Sequence, residues 1–115
     1  MKVKVGVVGL GFMGSAHARV YSKLKECELV GICDSNPEKK RLAKTYNCKF
    51  FEDSEEFLGE NLDAVSVCTP TSMHRDVVLD ALERGKHVLV EKPFADTVRN
   101  GEEMVKKAAR MDRLL

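Results

Sequence analysis

The chain has 115 residues, 19 Lys plus Arg against 18 Asp plus Glu, and a net charge of +1, so it offers no basic field for nucleic acid. A hydrophobic content of 43% at this length excludes a disordered chain and fits one domain with a real core. No apolar run approaches a bilayer span or a signal-peptide core, so a soluble cytoplasmic protein with no membrane or nucleic-acid partner is expected.

Strand-like and helix-like segments alternate along the chain. Val3–Val8 is β-branched and mostly apolar, as in a strand buried on both faces. Gly9 to Gly14 interrupts the pattern, and a helix is predicted over 13–25, its apolar positions being Met13, Ala16, Val20, Tyr21 and Leu24. A second strand, 28–34, ends in Asp34-Ser35-Asn36-Pro37, and Pro37 suits the first turn of a helix running to about Tyr46. A short strand at 49–51 and a short helix at 54–58 follow. Asp63 opens a fourth strand over 64–69, stopped by Pro70. A helix over 73–84 carries the stripe Val77, Val78, Ala81 and Leu82, and Gly85 closes it. The fifth strand, 87–91, stops at Lys92-Pro93. The last helix, 98–110, is expected to turn Met104, Val105, Ala108 and Ala109 inward.

Five strands alternating with helices imply βαβ units and a parallel sheet covered on both faces, a doubly wound α/β fold occupying residues 1–115. Leu114-Leu115 stands where a sixth strand would begin, so the domain looks cut there, leaving an unpaired strand edge able to drive non-native dimers. Cys27, Cys33, Cys48 and Cys68 form no C-x-x-C pair, and His17, His74 and His87 complete no ligand cluster, so packing cysteines and no metal are expected. His17 and His87 belong to no motif and are expected to pack or face solvent.

Gly9-Leu10-Gly11-Phe12-Met13-Gly14 is a G-x-G-x-x-G that follows a strand and opens a helix, the context in which such a turn binds a dinucleotide. Gly9 permits the tight turn, Gly11 lets a pyrophosphate approach the backbone, and Gly14 lets helix and strand pack closely. The free N–H groups and the positive end of the helix then hold phosphates without a basic side chain. Asp34 closes the second strand about 20 residues after Gly14, where a carboxylate accepts from both hydroxyls of the adenosine ribose. It would repel a 2′-phosphate, and the nearest cations along the chain are Lys39, Lys40 and Arg41, so NAD is favoured over NADP. Asp34 also suits capping of the helix at Pro37. Two further stretches, Thr69-Pro70-Thr71 with His74 and Glu91-Lys92-Pro93, lie at carboxyl ends of strands, where open α/β sheets bind ligands. Singly, each has a plain reading: a strand-ending turn with a cap, and an exposed charged pair before a proline.

Together, in this order and spacing, these motifs resemble the Gfo/Idh/MocA oxidoreductases, the glucose–fructose oxidoreductase and inositol dehydrogenase family. The resemblance covers essentially the whole chain but only that family's N-terminal nucleotide-binding domain. It implies that Gly9, Gly11, Phe12, Met13 and Gly14 surround the pyrophosphate, and that Asp34 with Ser35 binds the adenosine ribose. It also implies that Thr69, Pro70 and Thr71 line the nicotinamide ribose, that His74 shapes the pocket, and that Glu91 and Lys92 sit at the nicotinamide end. Lys92 would reach the substrate hydroxyl and stabilise charge on its oxygen as the hydride leaves. Pro93 would fix the Lys92 backbone, a place suited to a cis bond. The implied substrates are small sugars, polyols, cyclitols or sugar nucleotides. The family's C-terminal domain, which supplies the acid–base residue, the substrate wall and a homo-oligomeric interface, is not in these residues. The chain alone is therefore expected to bind dinucleotide and turn over little. Other two-domain Rossmann enzymes (homoserine-dehydrogenase-like or dihydrodipicolinate-reductase-like) and adenosylmethionine-dependent methyltransferases leave Glu91-Lys92-Pro93 without a task. From a different class, a stand-alone NAD-binding redox-sensing or regulatory module also fits the length.

Overall fold

The computed structural model describes residues 1–115. Five strands, β1 (Val3–Val8), β2 (Cys27–Cys33), β3 (Lys49–Phe51), β4 (Ala64–Val67) and β5 (His87–Val90), form one parallel sheet in the order β3-β2-β1-β4-β5. β1 lies at the centre, with β2 and β3 on one side and β4 and β5 on the other. The chain reverses its direction of winding there, so the carboxyl ends of β1 and β4 flank a crevice.

The helices are α1 (Phe12–Lys23), α2 (Arg41–Tyr46), α3 (Ser54–Leu58), α4 (His74–Glu83) and α5 (Val98–Met111). One face of the sheet buries Val5, Val7, Leu29 and Ile32 against Ala18 of α1 and Leu42 of α2. The other buries Val8, Val65, Val67 and Val88 against Phe57, Val78, Leu82, Met104 and Ala108 from α3, α4 and α5. Phe57 reaches β1 and β2 over Gly6 and Gly31, where a Cβ would meet its ring. The doubly wound reading therefore holds. No helix is long and apolar enough to cross a membrane.

Two helix faces differ from expectation. α1 buries Gly14 and Ala18, while Val20 (49% exposed), Met13 and Leu24 point outward. α5 buries Gly101, Met104 and Ala108, while Val105 (55% exposed) and Ala109 face solvent. In both, the apolar stripe is wider than the contact: α1 meets the sheet through the small residues Gly14 and Ala18, whereas α5 packs through Gly101, Met104 and Ala108 and leaves its neighbours at the rim. The expected open edge at β5 is also partly covered. Asp112 caps α5 in the left-handed conformation at φ 53° and turns the chain back. Val88 N then donates to Leu114 O at 3.0 Å and Leu114 N to His87 Nδ1 at 2.9 Å.

The four cysteines are free. Burial pushes Cys33 up to about 12 and Cys48 to about 11, with Asp34 and Asp53 adding to the effect on Cys33. These thiols stay protonated in the folded chain at pH values where the unfolded chain ionises. Stability is therefore fully present below about pH 8.5 and falls as pH rises toward the folded values. The expected result is slow reaction of the native chain with Ellman's reagent near pH 8, and titration of all thiols on unfolding. Fast native reaction of Cys33 would contradict this packing.

Candidate dinucleotide site

The crevice starts from the glycine turn. Gly9 has φ 93°, and a Cβ there would stand 2.6–2.7 Å from the Cys68 and Thr69 backbone. Its N–H donates to Cys33 O at 2.8 Å, locking the turn to β2. At Gly14 a Cβ would collide with the Gly9 carbonyl, so α1 starts in direct contact with the turn. Gly11 is different, with nothing within 4 Å of its would-be Cβ. It is the N-cap of α1, makes no side-chain cap, and is followed by no acidic residue in the first turn. The N–H groups of Phe12, Met13 and Gly14 thus have no intrahelical partner.

Asp34 stands at the end of β2 beside this turn. Its Oδ2 accepts from Leu10 N and its Oδ1 from Asn36 N, both at 2.8 Å. The helix-capping role considered for Asp34 falls instead to Asn36, whose Oδ1 accepts from Glu38 N at 3.0 Å. Each carboxylate oxygen of Asp34 keeps a lone pair for a further donor. A hollow of about 130 Å³ gathers Gly9, Asp34, Ser35, Thr69 and Pro70, with Glu52 and Met73 at its wall. The Thr69 Oγ1 is buried and has no hydrogen-bond partner. An orphaned hydroxyl beside a glycine turn, a bare helix N-terminus and a carboxylate with free lone pairs together fit a ribose-phosphate ligand. Gly11 and Phe12 border a second hollow with Arg19 and Lys39, so a cation of α1 stands near the turn as well as the one expected from residue 39.

His74 is 1% exposed. Its Nε2 lies 2.9 Å from Thr69 O and its Nδ1 3.3 Å from Phe94 O, so the ring ties together the two loops that follow β4 and β5. Thr71, half-buried, opens the short 3-10 turn that leads from β4 into α4. His74→Ala is expected to remove the ring that packs between these two loops, with the one hydrogen bond its N–H donates, and to open a cavity, costing about 2–4 kcal/mol. A lower denaturant midpoint at constant m-value is the check.

The Glu91 backbone continues the sheet, its N–H donating to Val67 O at 2.9 Å. Lys92 follows, exposed and without an ion pair in the chain, and the Lys92–Pro93 bond is cis.

The sequence carried no expectation for His17 beyond packing or facing solvent, yet the fold draws it into this region. Its Nδ1 lies 2.9 Å from Ser66 Oγ and its Nε2 3.2 Å from Glu91 Oε2, and Tyr21 OH lies 2.6 Å from the same Ser66 Oγ. The ligating atoms of His17, Cys68 and Glu91 lie within 4.8 Å of one another. Burial, and then Glu91, push the Cys68 thiol up to about 11, so it is protonated at neutral pH. The available signal was helical period: residues 14, 17, 18 and 21 share the sheet-facing side of α1.

Comparison with known proteins agrees with this fold. Residues 3–115 match the Gfo/Idh/MocA model, described as an oxidoreductase family with an NAD-binding Rossmann fold. A glucose-6-phosphate 3-dehydrogenase of Bacillus subtilis is 35% identical over 109 residues, 94% of this chain and 31% of the relative. A UDP-N-acetylglucosamine 3-dehydrogenase of Acidithiobacillus ferrooxidans is 39% identical over 93 residues, 80% of this chain and 29% of the relative. A crystal structure of scyllo-inositol dehydrogenase from Lactobacillus casei, with bound NAD(H) and scyllo-inositol, superposes with a TM-score of 0.92 at 28% identity, covering 99% of this chain and 35% of that one. The chain thus spans about a third of the length of these relatives.

Proposed function

Since the chain belongs to the Gfo/Idh/MocA oxidoreductase family as an NAD-binding Rossmann domain, we propose that it is the cofactor-holding part of a dehydrogenase acting on a hydroxyl of a sugar, cyclitol or sugar nucleotide. The observation that carries this is the coincidence of an open Gly11, an uncapped α1 and an orphaned Thr69 hydroxyl on the two turns that follow β1 and β4. When bound, a nicotinamide cofactor supplies hydride exchange. The N–H groups of Phe12, Met13 and Gly14 hold its pyrophosphate, and Asp34 with Ser35 accepts or donates at the adenosine ribose. Thr69, Pro70 and Thr71 line the second ribose, and His74 keeps their loop in place. Glu91 and Lys92 stand at the nicotinamide end, and the Lys92 ammonium hydrogen-bonds the substrate oxygen and stabilises negative charge on it. NAD is preferred to NADP because the Asp34 carboxylate faces the ribose.

The acid–base residue, the wall that selects substrate and the subunit interface of a homo-oligomer belong to a further domain on this reading, in a cytoplasmic enzyme. Residues 1–115 alone bind cofactor and turn over little. Calorimetric titration with NAD, NADP and S-adenosylmethionine tests this. Saturable NAD binding, weaker NADP binding and no adenosylmethionine binding are expected, and NAD at about 100 times its Kd adds about 2.7 kcal/mol to stability. A folded chain that binds neither dinucleotide would sink the reading.

A further inference from the structure

We propose that His17 is a positioning residue that aims the Glu91 carboxylate at the nicotinamide end of the crevice, through a hydrogen-bond chain running Tyr21–Ser66–His17–Glu91. The proposal rests on the dinucleotide reading above for what lies beyond Glu91. The chain itself rests on geometry. Its four side chains come from α1, β4 and the end of β5, and its links measure 2.6, 2.9 and 3.2 Å.

The direction of every proton follows from one end. An ionised carboxylate only accepts, so His17 Nε2 carries the hydrogen and donates to Glu91. In a neutral imidazole Nδ1 is then the acceptor, and Ser66 Oγ donates to it. Having spent its one hydrogen, Ser66 accepts from Tyr21 OH. Ser66 is fully buried, so this hydroxyl has no water to turn to, and Tyr21 fixes the rotor that fixes the imidazole tautomer. His17 and Tyr21 also pack edge to face, with ring centroids 6.3 Å apart at 83°. Glu91, half-buried, has His17 as its side-chain partner and is bonded through its backbone to Val67. The next residue is Lys92. A carboxylate pinned on one oxygen keeps its remaining lone pairs in a fixed direction, whereas a free one averages over rotamers. This is how a second layer of residues orients the groups that touch a ligand.

Two glutamine-type substitutions separate positioning from mere packing. Glutamine places its amide nitrogen near Nε2 and can still donate to Glu91, whereas asparagine reaches only the Nδ1 position beside Ser66. The probes are NAD and ADP-ribose, which share the adenosine and pyrophosphate and differ in the nicotinamide, titrated into the 115-residue chain. For His17→Ala the expected result is about tenfold or greater loss of NAD affinity with ADP-ribose affinity unchanged. His17→Gln is expected to restore NAD binding to within about threefold, and His17→Asn to behave as alanine does. Imidazole nitrogen NMR of the unaltered chain is expected to show a protonated Nε2 and a bare Nδ1, and thermal melts report whether each variant folds. Equal loss for both ligands, rescue by asparagine as good as by glutamine, or an Nδ1–H tautomer would each overturn the proposal. So would tight cobalt(II) binding with a thiolate charge-transfer band, since Cys68 and Glu91 would then be ligands. ADP-ribose binding without any effect of His17 on NAD refutes this proposal alone. An unaltered chain that binds neither ligand refutes the dinucleotide reading and takes the proposal with it.

Discussion

Gly14→Ala is expected to destabilise this chain severely. The new Cβ points at the carbonyl oxygen of Gly9, a backbone atom that cannot swing aside as a side-chain tip could. Gly9 is itself held by its bond to Cys33 O and by contact with the Cys68–Thr69 backbone. Relief therefore requires moving α1 off the sheet, with loss of Ala18 packing and of the turn. We expect a cost of about 3 kcal/mol or more, read as a fall in melting temperature of roughly 4 °C per kcal/mol. Gly11→Ala is the matched contrast. Nothing surrounds that Cβ, and its backbone (φ −72°, ψ −157°) is open to any residue, so stability should change by about 1 kcal/mol or less. NAD binding should nevertheless fail, because the methyl fills the space the pyrophosphate needs. If Gly11→Ala destabilised the chain as much as Gly14→Ala, the division of the turn into a packing glycine and a ligand glycine would be wrong.

Asp34→Ala is expected to weaken NAD binding by about 3 kcal/mol, or roughly 100-fold, since a carboxylate that accepts from two ribose hydroxyls makes two charge-assisted bonds. NADP should lose far less, because removing the carboxylate also removes its repulsion of the 2′-phosphate, so the preference between the two cofactors should collapse. The same change frees Leu10 N and Asn36 N, which now donate to Asp34, and should lower stability by about 1–2 kcal/mol. Calorimetry with both cofactors, alongside a denaturant curve, reads the two effects separately. Unchanged NAD affinity would remove Asp34 from the ribose.

The parts of the molecule legible in its sequence are those set by short-range rules. The glycine turn, the five strands and the α4 stripe of Val77, Val78, Ala81 and Leu82 follow from backbone freedom and period alone, and the structure places them as expected. The inward faces of α1 and α5 do not, because an apolar stripe wider than the contact leaves the choice to the partner surface. Val20 and Val105 lose their places to Ala18 and Ala108 for that reason. His17 is harder still: its partners Ser66 and Glu91 lie 49 and 74 positions away, and no local pattern joins them. Thr69 was legible by resemblance, but that its hydroxyl is both buried and unpartnered is a fact of three dimensions.

The central place of β1 has a consequence for how the chain is made. The strand synthesised first needs neighbours on both sides, and one of them is β4, which Lys4 meets through Asp63 at a separation of 59 positions. A nascent chain that has emerged only as far as β3 can pair β1 with β2, but the other edge of β1 stays unpaired. The first half of this domain therefore emerges with an unpaired strand edge of backbone N–H and C=O groups, and closure awaits the arrival of β4. Long sequence separation of this kind slows folding relative to helical bundles. It also makes the interval between synthesis of β3 and β4 the period in which a holding chaperone has most to grip.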